Sequence, residues 1–189
     1  MLAVQECMNV YASDTRWVST VNERIDEVRS WLNARPLQDN PGWVAPPAAQ
    51  QITWEEWVNR GKAITGVEES LLWMLANEHD PVARSAIVLA LGFVGGDKSV
   101  DPIIDVLKID NPLVQMEAAA SLGRLGRSSA VEALCKALKN PDLNVRANVC
   151  MALGRLGGVR AHACLKEALQ DTEPFVQAAA QEALRVVHQ

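Results

Sequence analysis

The sequence predicts an all-α chain in which short helix pairs stack one on the next: about four pairs and a terminal helix, behind an N-terminal helical cap. Three observations predict it. Ala90-Leu91-Gly92-Phe93-Val94-Gly95 is echoed by Ser121-Leu122-Gly123-Arg124-Leu125-Gly126 and again by Ala152-Leu153-Gly154-Arg155-Leu156-Gly157. Gly92, Gly123 and Gly154 stand 31 residues apart, and the same step links Val114, Val145 and Val176, and Ile103, Leu134 and Leu165. Within a period the apolar residues fall at helical spacing, as in Val145, Val149, Ala152, Leu153 and Leu156. An unbroken period of this length marks a supersecondary unit whose helices bury their apolar faces only by stacking on neighbours.

Taken in order, residues 1–49 read as an N-terminal helical cap and a Pro-rich connector. Val18, Val21, Ile25, Val28 and Leu32 make an apolar stripe widened by Trp17 and Trp31, on a helix starting near Ser13-Asp14. Pro36, Pro41, Pro46 and Pro47 follow, with Trp43 among them. The array proper occupies residues 50–189. Its first unit, about 50–79, opens on a capping box, Thr53-Trp54-Glu55-Glu56, and a second box, Thr65-Gly66-Val67-Glu68, starts its second helix. That helix contains Leu71-Leu72-Trp73-Met74-Leu75-Ala76, and a helix apolar all round is covered all round. The N-terminal helix is expected to cover it; the rival reading is a detachable helix that binds a partner.

Three units follow, at about 80–110, 111–141 and 142–172. Asp80, Asn111 and Asp142 stand where an N-cap accepts bonds from the free first-turn N–H groups of the first helix. The glycines close the repeat turns. The middle unit shows a capping box for its second helix, Ser129-Ala130-Val131-Glu132, and a stripe Val131, Leu134, Leu138. Its counterparts are Val100, Ile103, Leu107 and His162, Leu165, Leu169. A half unit, 173–189, supplies one more first helix. Its Val176, Ala180, Leu184 and Val187 are expected to face the preceding unit or the place of a missing second helix, and Val186 and Val187 offer a C-terminal surface through which a homodimer is expected.

A helix opened by Asp-x-x-x-Arg and ended by Ala-Leu-Gly-x-Leu-Gly resembles the HEAT-like repeats of the phycobilisome-lyase type. Asp80/Arg84 and Asp142/Arg146 match the opening, and Gln115 and Gln177 stand where the other units have arginine. The resemblance covers residues 80–189 strongly and 50–79 weakly, where Gly61 falls one period before Gly92. It implies a right-handed α-α superhelix whose second helices line the concave face, a fold used by scaffolds, chromophore lyases and other enzymes alike.

Composition narrows the chemistry. Hydrophobic residues make up 49% and charged residues 22%, as in a folded chain. The net charge of −5 belongs to residues 1–79, with six basic against eleven acidic side chains, while residues 80–189 balance at twelve of each. Nucleic acid and anionic membrane are therefore not expected partners. No stretch is long and apolar enough to span a bilayer. Cys7, Cys135, Cys150 and Cys164 show no close-spaced pair, so reduced thiols in a cytoplasm are expected. Cys135 and Cys150 fall in core columns, and Cys164 nearer the surface, where it is the one candidate for a reactive thiol in the repeats. His79, His162 and His188 lack metal-ligand spacing, and no phosphate loop or nucleophile elbow is present, so no metal, cofactor or catalytic set is expected.

Folded onto the period, the charges separate. Turns within units carry Lys98, Arg124, Arg127, Arg155 and Arg160 against one acid, Asp97, a basic edge; turns between units carry Glu78, Asp80, Asp110, Asp142, Asp171 and Glu173. Neutralisation of helix dipoles accounts for this pattern locally, and binding along the basic edge is the rival account. The outward positions of the second helices are Asp101, Asp105, Lys108, Glu132, Lys136, Lys139, Lys166, Glu167 and Gln170. This mixed polar surface suits a protein or peptide. The chain is read as a non-catalytic scaffold for a protein partner. The alternatives are a subunit of a bilin-lyase-like enzyme and, more weakly, nucleic-acid binding along the basic edge.

Overall fold

The computed structural model describes residues 15–34 and 53–187, without the side chains of residues 15–23, 54, 109, 186 and 187. Among the described residues there are ten α-helices, two short 3-10 turns and no strand. Two compact units are formed, one reaching to Leu71 and one running from Leu72.

In the first unit α1 (Thr15–Asn33) packs against α2 (Trp54–Ala63). The stripe expected on α1 is buried where it is described, at Ile25, Val28, Trp31 and Leu32. Val18, Val21 and the Pro-rich connector lie outside the described side chains and residues. Trp31 and Trp57 stack with ring centroids 4.4 Å apart and planes 13° from parallel. Gly61 makes room for the stack, since a Cβ there would come within 2.2 Å of the Trp31 ring. The capping box of α2 forms as expected, with Thr53 Oγ1 accepting from the Glu56 N–H and Glu56 accepting from the Thr53 N–H.

Helix α3 (Val67–Asn77) carries the six-residue apolar run. Its cover is less complete than expected: Leu71, Met74 and Leu75 are buried, Leu72 and Trp73 half-buried, and Ala76 exposed.

The second unit continues through α4 (Pro81–Val94), α5 (Val100–Ile109), α6 (Pro112–Leu125), α7 (Val131–Ala137), α8 (Leu143–Leu156), α9 (Gly158–Ala168) and α10 (Pro174–Val187). The first helices α4, α6, α8 and α10 pack each against the next, and the second helices α5, α7 and α9 each pack against the first helix that follows. Asp80, Asn111 and Asp142 all act as N-caps, accepting from Ala83, Leu113, and Asn144 with Val145 respectively. The box expected at Ser129 does not form. Residues Ser128–Ala130 make a 3-10 turn, and α7 opens without a side-chain cap. Glu132 is drawn instead to Arg160, a charge-assisted bond stronger than one to a neutral N–H.

Gly92, Gly123 and Gly154 lie inside α4, α6 and α8 rather than in turns. Each faces a small residue on the next first helix, 29 positions on: Ser121, Ala152 and Ala183. A Cβ would come within 2.5 Å of the Ser121 hydroxyl, 3.0 Å of the Ala152 Cα or 2.8 Å of the Ala183 Cβ. The helices thus approach closer than any larger residue allows, and Ser121 Oγ uses that proximity to donate to the Val88 carbonyl at 2.9 Å.

The Arg and Gln of the repeat opening join units end to end. Arg84 donates to the Asp110 carboxylate and to the carbonyls of Leu75 and Glu78. Arg146 donates to both oxygens of Asp171 and to the carbonyls of Asn140 and Pro141. In the middle unit Gln115 donates to the Leu107 carbonyl and accepts from the Asn140 amide, each at 3.0 Å. Gln177 donates to the Asp171 carbonyl. The Arg146 guanidinium holds the nearly buried Asp171 carboxyl below the usual carboxylate value, and Asp171 raises Arg146 in turn.

Candidate interaction surfaces

Because α5, α7 and α9 bury Val100, Ile103, Leu107, Val131, Leu134 and Leu165, the helical period turns the polar positions between them outward. Asp101, Asp105 and Lys108 on α5, Glu132 and Lys136 on α7, Lys139 just beyond it, Lys166 and Glu167 on α9, and Gln170 just beyond are all exposed. One period apart, Asp105, Lys136 and Glu167 alternate in sign. Two pairs restrain this face: Lys108 bonds Asp105 at 3.0 Å, and Arg160 grips both oxygens of Glu132 at 2.9 and 3.1 Å. Arg160 holds the Glu132 carboxyl below its usual value, and Glu132 raises Arg160.

The cysteines depart from expectation. Cys135 on α7 and Cys164 on α9 form a disulfide, with Cα atoms 5.7 Å apart across a sequence separation of 29. Cys164, expected near the surface, is 2% exposed, and Cys135, expected in the core, is half-buried. Close spacing in sequence does not govern which cysteines meet in this array. Neighbouring helices of this array meet 29 residues apart, as Gly92 meets Ser121, and Cys135 and Cys164 hold that register. Cys150 is a core thiol as expected, free and buried, and desolvation pushes it up to about 12.

The basic edge is largely neutralised within the chain. Arg124 bonds Glu117 through two nitrogens and lies over the Phe93 ring, 4.8 Å from its centroid. Arg127 pairs with Asp97, and Arg160 with Glu132. Lys98 and Arg155 are exposed. Arg124, Arg127 and Arg160 each carry an acid beside them, and the potential they offer a phosphate backbone falls accordingly.

One surface escaped the sequence reading. Val82, Leu113 and Phe175 are exposed at the starts of α4, α6 and α10, one period and then two periods apart, with exposed Leu143 next to the intervening Asn144. The column repeats with the period, but residue type alone does not distinguish an exposed apolar position from a buried one. On α10, Val176, Ala180 and Ala183 are buried, while Ala178, Gln181, Glu182 and Arg185 are exposed. The side chains of Val186 and Val187 lie outside the described residues.

Among the described residues no three His, Cys, Asp or Glu side chains gather as a metal site requires. No described helix is long and apolar enough to cross a membrane.

The family described as HEAT repeats matches residues 68–139 and again residues 100–185, together more than half of the chain. No curated protein sequence matches. Among solved structures the chain is similar to one in the complex of CpcE and CpcF of phycocyanin lyase from Nostoc sp. PCC7120, at 22% identity and a TM-score of 0.57. The match covers 81% of this chain and 70% of that one.

Proposed function

Because this chain belongs to the HEAT repeats family, we propose that it is a non-catalytic scaffold that holds a protein partner against the outward face of its second helices. The observation that carries the reading is that all nine polar positions on this face are exposed and mixed in sign. A surface of that kind recognises a partner by a pattern of charges rather than by one dominant sign. The solved relative belongs to a two-protein complex, which supports a protein as the partner. A cytoplasmic setting is part of the same reading, as is an N-terminal segment, residues 1–49, that caps the array instead of trailing from it.

The test is affinity capture with the intact chain and a Lys136→Glu, Lys166→Glu variant, followed by mass spectrometry. A protein retained by the first and lost by the second, with unchanged helix content by circular dichroism, is the expected result. Equal capture by both would remove this face from the reading.

Fold likeness to a chain of the phycocyanin-lyase complex favours one alternative, a subunit of a bilin-lyase-like enzyme. Incubating the chain with a bilin and an apo-phycobiliprotein separates the two. A covalent adduct that needs this chain would replace the scaffold reading, and no adduct would remove the alternative.

A further inference from the structure

We propose that the Cys135–Cys164 disulfide is a thiol-exchange site, opened and closed through the Cys135 sulfur, and that its state sets how firmly α7 is held to the array.

The two cysteines differ in what can reach them. Cys164 is buried on α9, whereas Cys135 is half-buried on α7, in a helix whose next residue, Lys136, is exposed. A small thiolate arriving from solvent meets the Cys135 sulfur first. Its attack forms a new S–S bond to Cys135 and breaks the bond to Cys164; the electron pair leaves on Cys164 Sγ, which takes a proton from solvent. A second small thiolate then displaces Cys135, leaving two protein thiols and one small-molecule disulfide. Closure runs the same steps backwards with a small disulfide, such as oxidised glutathione, as the oxidant. Cys150 does not compete, because its thiol is fully buried and pushed up to about 12.

Helix α7 is where such a bond matters. It has seven residues, fewer than any other α-helix described, and it opens without a side-chain cap. So short a helix has little stability of its own and depends on what holds it. The first helices keep their glycine contacts whatever the state of the sulfurs, so opening the bond loosens α7 without dismantling the stack. In a cytoplasm, disulfides that form are as a rule transient and redox-sensing. Glu132 and Lys136 ride on α7, so a loosened helix blurs the face assigned above to a partner. That consequence rests on the scaffold reading; the exchange chemistry does not.

The experiment uses the full chain with Cys7 and Cys150 left in place and peptide-level mass spectrometry to assign each sulfur. Treated with oxidised glutathione under native conditions, Cys164→Ser should acquire glutathione on Cys135, about tenfold or more faster than Cys135→Ser acquires it on Cys164. In the wild-type chain, amides of α7 should exchange with deuterium about tenfold or more faster after reduction, while those of α8 stay unchanged. Comparable adduct rates at the two cysteines would overturn the assignment to Cys135. Full alkylation of both thiols in oxidised native protein would overturn the disulfide itself. Equal exchange of α7 in both redox states would overturn the coupling to the helix. None of these outcomes depends on whether a partner binds.

Discussion

Trp31 and Trp57 hold each other twice: the indole N–H of Trp31 donates to the Trp57 carbonyl at 2.7 Å, and that of Trp57 donates to the Trp31 carbonyl at 3.0 Å. The rings stack between these bonds, so a single contact joins two helices by burial, by π-stacking and by two buried indole hydrogen bonds. Trp31→Ala should therefore destabilise the first unit by about 3–5 kcal/mol. Trp57→Phe keeps most of the ring area and loses one donor, at a cost of about 1–2 kcal/mol. Urea unfolding monitored by circular dichroism ranks the two, and a reversed order would show that the hydrogen bonds outweigh the packing.

The middle unit contains its own control for an ion pair. Gln115 and Asn140 occupy the places that Arg146 and Asp171 hold one period later. Asp171→Asn alone leaves a nearly buried guanidinium without its carboxylate and should cost about 3 kcal/mol, and Arg146→Gln a similar amount. The double variant recreates the neutral pair and should cost less than the two together by about 1–3 kcal/mol. A double-mutant cycle in urea measures the difference; strict additivity would show that the pair acts as two separate groups.

Acid should act through the same carboxylate. Arg146 keeps Asp171 below its unfolded value of about 3.9, so its contribution is complete above that pH and fades as the pH falls through the lower folded value. The stability gap between the wild-type chain and Asp171→Asn is expected to stay level from pH 7 to about pH 5 and to narrow below about pH 4. Thermal melts across this range test it. A gap that widened on acidification would mean that Asp171 is favoured in its protonated form.

Gly154→Ala places a methyl group 2.8 Å from the Ala183 Cβ and 3.0 Å from its Cα. The backbone of α10 cannot fold aside as a flexible side chain would, so the helix must move, at about 1–3 kcal/mol. That exceeds the roughly 0.5–1 kcal/mol by which alanine normally improves a helix interior. Adding Ala183→Gly should recover part of the loss. A stabilised Gly154→Ala chain would show that the helices part without cost.

What could be read from the sequence and what could not divide along a physical line. The period, the N-caps at Asp80, Asn111 and Asp142, and the buried columns of the second helices follow from repetition and helical spacing, both local properties. The outward second-helix residues follow by subtraction. The disulfide, the glycine contacts and the pairs that neutralise Arg127 and Arg160 depend on the lateral offset between neighbouring helices, whereas Arg124 and Glu117 share α6. Offset is a property of packing, and no single helix carries it. The failed box at Ser129 is the same lesson: its Glu132 had a stronger partner 28 residues away. The column of Val82, Leu113 and Phe175 keeps the period, but apolar side chains give no sign in sequence that they face solvent.

The constant lag of 29 residues between touching positions has a consequence for how such a gene can change length. Excising one whole period, residues 112–142, would bring Gly92 against Ala152, still glycine against a small residue. Arg146 would find the carbonyls of Ile109 and Asp110 where those of Asn140 and Pro141 had been, and a carbonyl accepts equally whichever residue bears it. Cys164 would lose its counterpart, with Ile104 standing where Cys135 had been, and Asp97 would lose Arg127, with Gly158 in its place. Duplication or loss in steps of 31 codons thus leaves the joints of the array in working order, and the number of units is free to drift or be selected while the joint stays the same.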